Sequence, residues 1–457
     1  MIVSFSVSNF LSFSSEETFS LVASGRLAAT HGDHAVPIPD SKEKVLRTAV
    51  LYGANGAGKS NLFKAVRYVR TVALNPRNKG TGTGRLPFRF GDGEGAPSTF
   101  DLQFIAGDKL YRFGFKVDDQ RILEEWLVQV VGGRERPLYE RVTDSDRKVT
   151  IESEGLKTAG DKVLALATVG GPQNQSFLAT IQATLEASDV GEELRAILAW
   201  FKGGLVLLGP DEKLGPLGYS LTMDSDLTKF ASAFLKSSST GVDHLDIAKE
   251  EISEDELRRL LPEGIVSAVF ANIAASPNGT AVLEMGDNHE LVLERKGENH
   301  YNRITIQAAH VHNPNRVDRL NLNEESDGTR RLLNLIPALH HLRTESGVFF
   351  IDEIDRSLHP ILVREFLDFF LKSCAGGKRQ IIVTTHESNL LDLDLLRRDE
   401  IWFAEKDAAG ATRLYSVVDF KVRKDLEIRK HYLQGRFGAV PFLGNLDLLL
   451  TESGEAK

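Results

Sequence analysis

Apolar and polar positions alternate along residues 2–13, where Val3, Phe5 and Val7 are set against Ser4, Ser6 and Ser8. A period of two puts successive side chains on opposite faces, so this segment predicts a half-buried β-strand. Residues 47–52 form a short apolar run that stops at a glycine-rich turn, and residues 60–73 follow with helical spacing. Between the two strands, residues 22–46 read as an irregular surface loop. Residues 98–117 predict a hairpin. Phe100, Leu102 and Phe104 on one arm and Tyr111, Phe113 and Phe115 on the other line one face, with Ala-Gly-Asp at the turn. The stretch 76–97, rich in glycine and proline, reads as a loop.

From about 121 to 300 the chain mixes strands with amphipathic helices, for example over 190–202 and 226–236. It carries no sustained heptads, which argues against a long coiled-coil arm. Beyond 301 the pattern predicts a helix over 327–343, a buried strand over 347–351, a helix over 360–372 and a strand over 379–384. Strands that alternate with helices make a mainly parallel sheet. The expected class is therefore α/β: a mainly parallel sheet, an antiparallel β subdomain and an α/β insertion. The expected divisions are an N-terminal lobe over 1–120, an inserted α+β region over 121–300 and a C-terminal lobe over 301–457.

Composition narrows the classes. Hydrophobic residues are 42% and charged residues 26%, a globular balance that excludes a mostly disordered or fibrous chain. The start MIVSFSVSNFLSF lacks a basic n-region and a small-residue cleavage site, and no apolar run approaches the ~20 residues that span a bilayer. A single cysteine, Cys374, excludes a disulfide framework and a cysteine metal site. Together these predict a cytoplasmic protein without a membrane partner. The net charge of −9 argues against a chain that is basic all over, although 55 Lys and Arg leave room for a local nucleic-acid groove.

The segment Gly53, Ala54, Asn55, Gly56, Ala57, Gly58, Lys59, Ser60 matches G-x-x-x-x-G-K-[ST] in full, after a predicted strand and before a predicted helix. Glycines let successive N–H groups turn inward around phosphates, and the helix N-terminus adds partial positive charge. Lys59 reaches the β and γ phosphates, Ser60 offers a hydroxyl to Mg²⁺, and Asn61 continues the binding segment. ATP and Mg²⁺ are the cofactors this predicts. A second apolar strand ends at Asp352 and Glu353, the arrangement of a Walker B motif. Asp352 would hold Mg²⁺ through water, and Glu353 would orient and deprotonate the attacking water. An acid pair after a strand is often only a helix cap; its coexistence with a phosphate loop favours the catalytic role. Lys59 and Asp352 stand 293 residues apart, much further than in compact AAA+ modules, which predicts a head split by a large insertion.

Just before the acid pair, Glu325-Ser-Asp-Gly-Thr329 opens an apolar-periodic helix. By itself Ser326 would be a plain helix cap. ABC-type heads place a Ser-x-Gly signature here and turn it on the γ-phosphate held by an opposite protomer. Asp355, with Leu358-His359-Pro360, resembles the loop that crosses such an interface, and His386 at the end of Ile-Ile-Val-Thr-Thr-His resembles the switch histidine. The order of phosphate loop, Ser326-x-Gly328, Asp352-Glu353, Asp355 and His386 is more specific than any one element.

These residues make the chain resemble the bacterial AAA-type ATPases related to ABC, SMC and RecF heads, a family that includes the ATPase subunit of PARIS-type phage-defence systems. The resemblance takes in Asn174-Gln-Ser-Phe-Leu178, Phe234-Leu-Lys236 before Gly241-Val242, Ile351–Pro360 and Thr384-Thr-His-Glu387. It continues through Arg397-Arg-Asp-Glu-Ile-Trp402 and Tyr432-Leu-Gln-Gly-Arg-Phe-Gly-Ala-Val-Pro441. It implies a P-loop NTPase with an ABC/SMC-like split head, catalysis by Glu353, His386 and Lys59, and a composite ATP site in a homodimer or higher homo-oligomer. It further implies control of a separate effector nuclease in anti-phage defence; a RecF-like DNA-maintenance ATPase is the alternative. Two departures stand out. No Q-loop glutamine is evident, since Gln103 falls in a predicted strand and Gln120 after a turn, and the signature reads Ser-Asp-Gly-Thr rather than Ser-Gly-Gly-Gln.

Other features read as scaffold. Asp392 and Asp394 form a D-x-D, but 71 residues after His386 are too few for a Toprim-type nuclease half, so turn or cap roles are expected. His310 with His312, and His340 with His341, lack zinc spacing. Lys421, Arg423, Lys424, Arg429, Lys430 and Arg436 make a basic tail, read as a solvated face or as a surface for an acidic partner.

Overall fold

The structure is a computed structural model. It describes residues 1–440 apart from 79, 92, 94, 277–278, 286–288, 298–299, 314–315, 375 and 421–426. The chain divides into two compact units. The first holds Met1–Gly209, Ser346–Ile354 and the described residues from Leu367 onward; the second holds Pro210–Glu345 and Asp355–Phe366.

In the first unit, a parallel sheet runs in the order Leu205–Leu208, Gly347–Ile351, Arg379–Thr384, Thr48–Tyr52 and Ile401–Lys406, with Thr412–Ser416 antiparallel at one edge. Thr48–Tyr52 and Gly347–Ile351 are buried at every position, because helices and strands cover both faces of such a sheet. The helix Lys59–Leu74 leaves the sheet directly after the glycine-rich turn, and its Phe63 ring meets Phe350 edge-on at 5.4 Å. Each such aromatic burial stabilises by roughly 1.5–3 kcal/mol.

The same unit holds an antiparallel sheet in the order Val149–Glu152, Arg134–Thr143, Ile122–Val131, Lys109–Val117, Ser98–Ala106, Ile2–Ser8 and Glu17–Ser20. The expected hairpin over 98–117 forms, with Phe100 opposite Phe115 and Leu102 opposite Phe113, all fully buried. Gln380 ties this sheet to the parallel one. Its buried amide accepts from the Ile2 N–H at 2.7 Å and donates to the Ile2 and Leu46 carbonyls at 2.9 and 2.8 Å. The sequence block Asn174–Leu178 has a comparable role. Asn174 donates to the Thr81 carbonyl, Gln175 accepts from the Arg77 N–H, and Ser176 caps the helix Phe177–Thr184.

Two expectations need correction. Residues 22–46 are not wholly irregular: Ala35–Pro37 and Lys44–Leu46 pair, and Val45 and Leu46 are fully buried. Strands of three residues are too short to show a period. The helix expected over 190–202 is regular only from Glu192 to Ala199, then widens into a π turn over Trp200–Gly204. That turn sets Trp200 on Phe104 at 4.3 Å and Phe201 against Phe113 at 5.5 Å.

The second unit is built on an antiparallel sheet of His244–Ser253, His300–Asn313, His289–Gly297 and Thr280–Met285, with Arg316–Asn321 also paired to His300–Asn313. Its helices include Ser225–Ser237 and Asp327–Thr344. Among the described residues no helix is long and apolar enough to cross a membrane.

Candidate functional site

The phosphate-loop strand, the acid-ended strand and the strand before His386 are neighbours in the parallel sheet, in matching register. Ile351 lies beside Val383, and Thr384 beside Leu51. All three therefore end together, at the carboxyl edge where open α/β sheets bind ligands.

Three glycines shape the first loop. A Cβ on Gly53 would stand 2.5 Å from the Ala404 carbonyl oxygen. Gly58, at φ +113°, has Thr412 so close behind it that no side chain fits, whereas Gly56, at φ +78°, has open space above it. The first and last glycines are thus fixed by the wall behind the loop, and the middle one by its own backbone. Thr412 Oγ1 donates to the Ala57 carbonyl at 2.8 Å and lies 2.7 Å from Ser12 Oγ, which also accepts from the Asn61 amide. Ser12 and Thr412, unremarked in the sequence, brace the loop from behind. The side chain of Asn61 is turned onto that brace. Asn55 and Gly56 are exposed, and Ser60 is half-buried.

Lys59 is 5% exposed, and its ammonium donates to the Gly53 and Ala54 carbonyls at 2.8 and 3.2 Å. His386 Nδ1 lies 3.3 Å from the same nitrogen, although 327 residues separate the two in sequence. His386 is itself exposed.

Asp352 is buried to 2% and its N–H is taken by the Leu208 carbonyl. Thr384 organises the turn that follows. Its hydroxyl donates to Asp352 Oδ1 at 2.5 Å and accepts from the Glu353 N–H at 2.9 Å, while its carbonyl accepts from the Ile354 N–H. Glu353 adopts φ +49°. For a residue with a Cβ this costs about 1–3 kcal/mol and is found where the surroundings over-determine the backbone, commonly at active sites.

Ser326, Gly328 and Asp355 belong to the second unit. Ser326 is exposed and caps the helix Asp327–Thr344, its Oγ accepting from the Thr329 N–H at 3.2 Å. Glu325 before it is buried and meets His310 Nε2 at 2.7 Å. Gly328 has a steric reason in its own unit, since a Cβ there would stand 2.9 Å from the Ser357 carbonyl oxygen. The segment from Asp355 to Ser357 is held by Arg356, paired with Asp211 at 2.8 Å, and by the Leu358 N–H on the Asp355 carbonyl.

The remaining candidates sit in the scaffold. Gln103 lies inside an antiparallel strand and Gln120 in an exposed turn. Asp392 accepts from the Asp394 N–H, closing its own turn. Arg397 is paired to Asp399 and the buried Glu400 to His34; burial holds the Glu400 carboxyl above the ordinary range despite that bond. The tail residues Tyr432 and Phe437 stack on Phe403. Lys421, Arg423, Lys424 and Pro441 lie outside the described residues.

A glycine loop between strand and helix, a lysine inside it and an acid pair on the next strand but one of the same parallel sheet define a P-loop nucleotide-binding fold. The sequence matches, over residues 49–392, the family described as "AAA domain, putative AbiEii toxin, Type IV TA system", and the chain belongs to that family. No curated protein matches it in sequence. Similar solved structures include an SMC head bound to the C-terminal winged-helix domain of ScpA, at 13% identity and a TM-score of 0.42, covering 91% of this chain and 97% of that one. The SMC head domain from Thermotoga maritima follows at 14% and 0.36, covering 91% and 98%. The recombination mediator RecF is similar at 13% and 0.33, with the same coverage.

Proposed function

We propose that this AAA-family protein binds ATP with Mg²⁺ and hydrolyses it at a site completed by a second copy of the chain. The reading rests above all on the meeting of Lys59 with His386 at a sheet edge where Thr384, two residues earlier, ties Asp352 to Glu353. In this reading the amides of Gly53–Ser60 surround the phosphates, and Lys59 leaves the loop carbonyls for the β and γ oxygens. Ser60 and Asp352 hold Mg²⁺, which neutralises charge on the phosphates when bound. Glu353 takes the proton of the attacking water, and His386 contacts the γ-phosphate. Ser326 and Gly328 of the partner subunit present a helix N-terminus to that phosphate, with the partner subunit's Asp355 at the interface. The loop needs glycine at 53 and 58 to keep this conformation, because a Cβ at either would collide with the wall that holds the loop in place.

Hydrolysis would separate the two copies, making the chain a nucleotide-driven switch. We assign that switch to the control of a separate effector, a nuclease, in anti-phage defence. The family description names a toxin of a toxin–antitoxin system, which supports a defence role. Glu353→Gln tests the chemistry: the variant should form a stable ATP-dependent dimer in size-exclusion chromatography, with turnover reduced at least a hundredfold by loss of the base. Normal turnover in that variant would refute the assignment. Phage plating with the gene and its neighbours, against Lys59→Ala, tests the defence role. Turnover stimulated by DNA and lost with salt would instead favour the maintenance role.

A further inference from the structure

One aromatic ring of the first unit lacks the burial of its neighbours. Phe90 is 67% exposed, and no other phenylalanine, tyrosine or tryptophan among the described residues is exposed. A ring left in water forgoes most of the gain from burying it. The ring is nonetheless held in place. Phe88 is buried and meets it edge-on at 5.7 Å. The Phe88 N–H donates to Asn9 Oδ1 at 3.2 Å, and the Asn9 amide donates to the Gly93 and Ala96 carbonyls at 2.8 and 2.7 Å. The Leu11 N–H donates to the Leu86 carbonyl at 2.7 Å. Leu86, Phe88 and Ala96 are thus tied to the segment that ends in Ser12, the same residue that braces the phosphate loop.

Phe90 also lies beside Gly410, where a Cβ would stand 3.5 and 3.8 Å from Cδ2 and Cε2 of the ring. Gly410 belongs to the turn between Ile401–Lys406 and Thr412–Ser416, which Asp407 closes by accepting from the Ala409 and Ala411 N–H groups at 3.0 and 2.9 Å. Two residues further on, Thr412 stands behind Gly58 and donates to the Ala57 carbonyl. A fixed, exposed aromatic ring therefore sits against the turn that backs the phosphate loop.

Strand order says which end of a nucleotide this ring faces. His386 and Asp352 follow the two strands on one side of Thr48–Tyr52, so the γ-phosphate of the proposed site lies that way. Gly410, and Phe90 with it, lies on the other side. A nucleotide whose γ end points to His386 directs its nucleoside towards Phe90. We propose that Phe90 is the platform on which the base of the bound nucleotide stacks, a specificity contact that rests on the ATP-binding reading and adds to it. Every base has a π-face, so the ring selects for a nucleobase over bare phosphate without reading which base it is.

The test titrates the full-length protein with ADP and, separately, with inorganic pyrophosphate, both with Mg²⁺, in a calorimeter. Neither ligand is turned over, and both offer the loop two phosphates. Phe90→Ala should weaken ADP by about tenfold or more, the effect of losing one base stack, and leave pyrophosphate unchanged. Phe90→Trp should hold ADP at least as tightly as the parent, whereas Phe90→Leu, apolar but without a π-face, should lose most of the contact. An unchanged ADP affinity in Phe90→Ala would overturn the proposal and leave the nucleotide reading standing. An equal loss for pyrophosphate would also overturn it, by placing the damage in the loop. If the parent binds neither ligand, the nucleotide reading itself fails and takes the platform with it.

Discussion

The Thr384 hydroxyl donates a hydrogen bond to Asp352 Oδ1 at 2.5 Å, while the hydroxyl oxygen accepts one from the Glu353 N–H. One side chain thus fixes both acids of the candidate site, one by its carboxylate and the other by its backbone. Thr384→Val keeps the shape and removes the oxygen. It strands the Glu353 N–H and withdraws a donor from a buried carboxylate, at a cost of about 1–3 kcal/mol. The expected result is a lower thermal midpoint together with ATP turnover reduced at least tenfold, whereas Thr384→Ser recovers most of both. Steady-state kinetics beside calorimetry checks this; a valine variant with normal kcat would detach Thr384 from the chemistry.

Ser326 has one observed role, as a helix cap, and one proposed role, as a phosphate contact, on the same atom. As an N-cap it accepts the Thr329 N–H, and any good cap would do the same. As a phosphate contact it must be neutral and able to donate. Ser326→Asp separates the two, because aspartate caps as well as serine but brings negative charge towards a γ-phosphate. Stability should stay within about 0.5 kcal/mol of the parent, while ATP-dependent dimerisation and turnover are lost. If the aspartate variant turns over normally, the serine is only a cap.

What the sequence revealed of this protein follows from how locally each feature is encoded. The phosphate loop is legible because eight consecutive residues carry both the conformation and the chemistry, and the acid pair because an unbroken apolar strand precedes it. The brace behind the loop was not legible. Ser12 and Thr412 lie 400 residues apart and meet only because the edge strand Thr412–Ser416 passes behind the loop. Nothing periodic marks either residue. In the sequence Thr384 is only one residue of the apolar segment leading to His386; its hydroxyl matters because the sheet places it beside the end of another strand, and a single sequence does not state strand order. The buried pairs Arg397–Asp399 and His34–Glu400 look like surface charge until the fold brings 24–34 over them.

Behind Gly58, Thr412 leaves no room for a methyl group, and φ there is +113°. Gly58→Ala should therefore lose nucleotide binding altogether, since the loop must move off its brace to admit the new carbon. Removing the obstacle with Thr412→Gly in the same chain answers the steric term but not the backbone one, so recovery should be partial. Titration with a fluorescent ATP analogue measures both. Full recovery in the double variant would show that the left-handed backbone is not needed there.

Gly328 makes an analogous prediction in the second unit. Its missing Cβ leaves 2.9 Å to the Ser357 carbonyl oxygen, a backbone atom that cannot rotate away. Gly328→Ala should push the 355–358 segment aside. Because the phosphate loop lies in the other unit, affinity for ATP should be kept while kcat falls at least tenfold. Equal losses in affinity and kcat would place the damage in general folding instead.

Tyr68, on the phosphate-loop helix, stacks on Phe10 at 5.2 Å and donates to the Thr83 carbonyl at 3.0 Å. Burial, the largest cause, pushes its phenol up to about 12. Below pH 10 the phenol is neutral whether the chain is folded or unfolded. Above pH 10 the unfolded chain releases the proton while the folded chain keeps it until about pH 12. Stability must therefore fall as pH rises through that window, by on the order of 2 kcal/mol from this group. Burial also raises Tyr111, Tyr139, Tyr415 and Tyr432, so alkaline unfolding of the parent should be steep. Tyr68→Phe should cost about 1 kcal/mol at pH 8, where the bond to Thr83 is missing, yet overtake the parent near pH 12. Urea unfolding across that range measures the crossing; parallel curves for the two proteins would mean that Tyr68 ionises as readily in the fold as out of it.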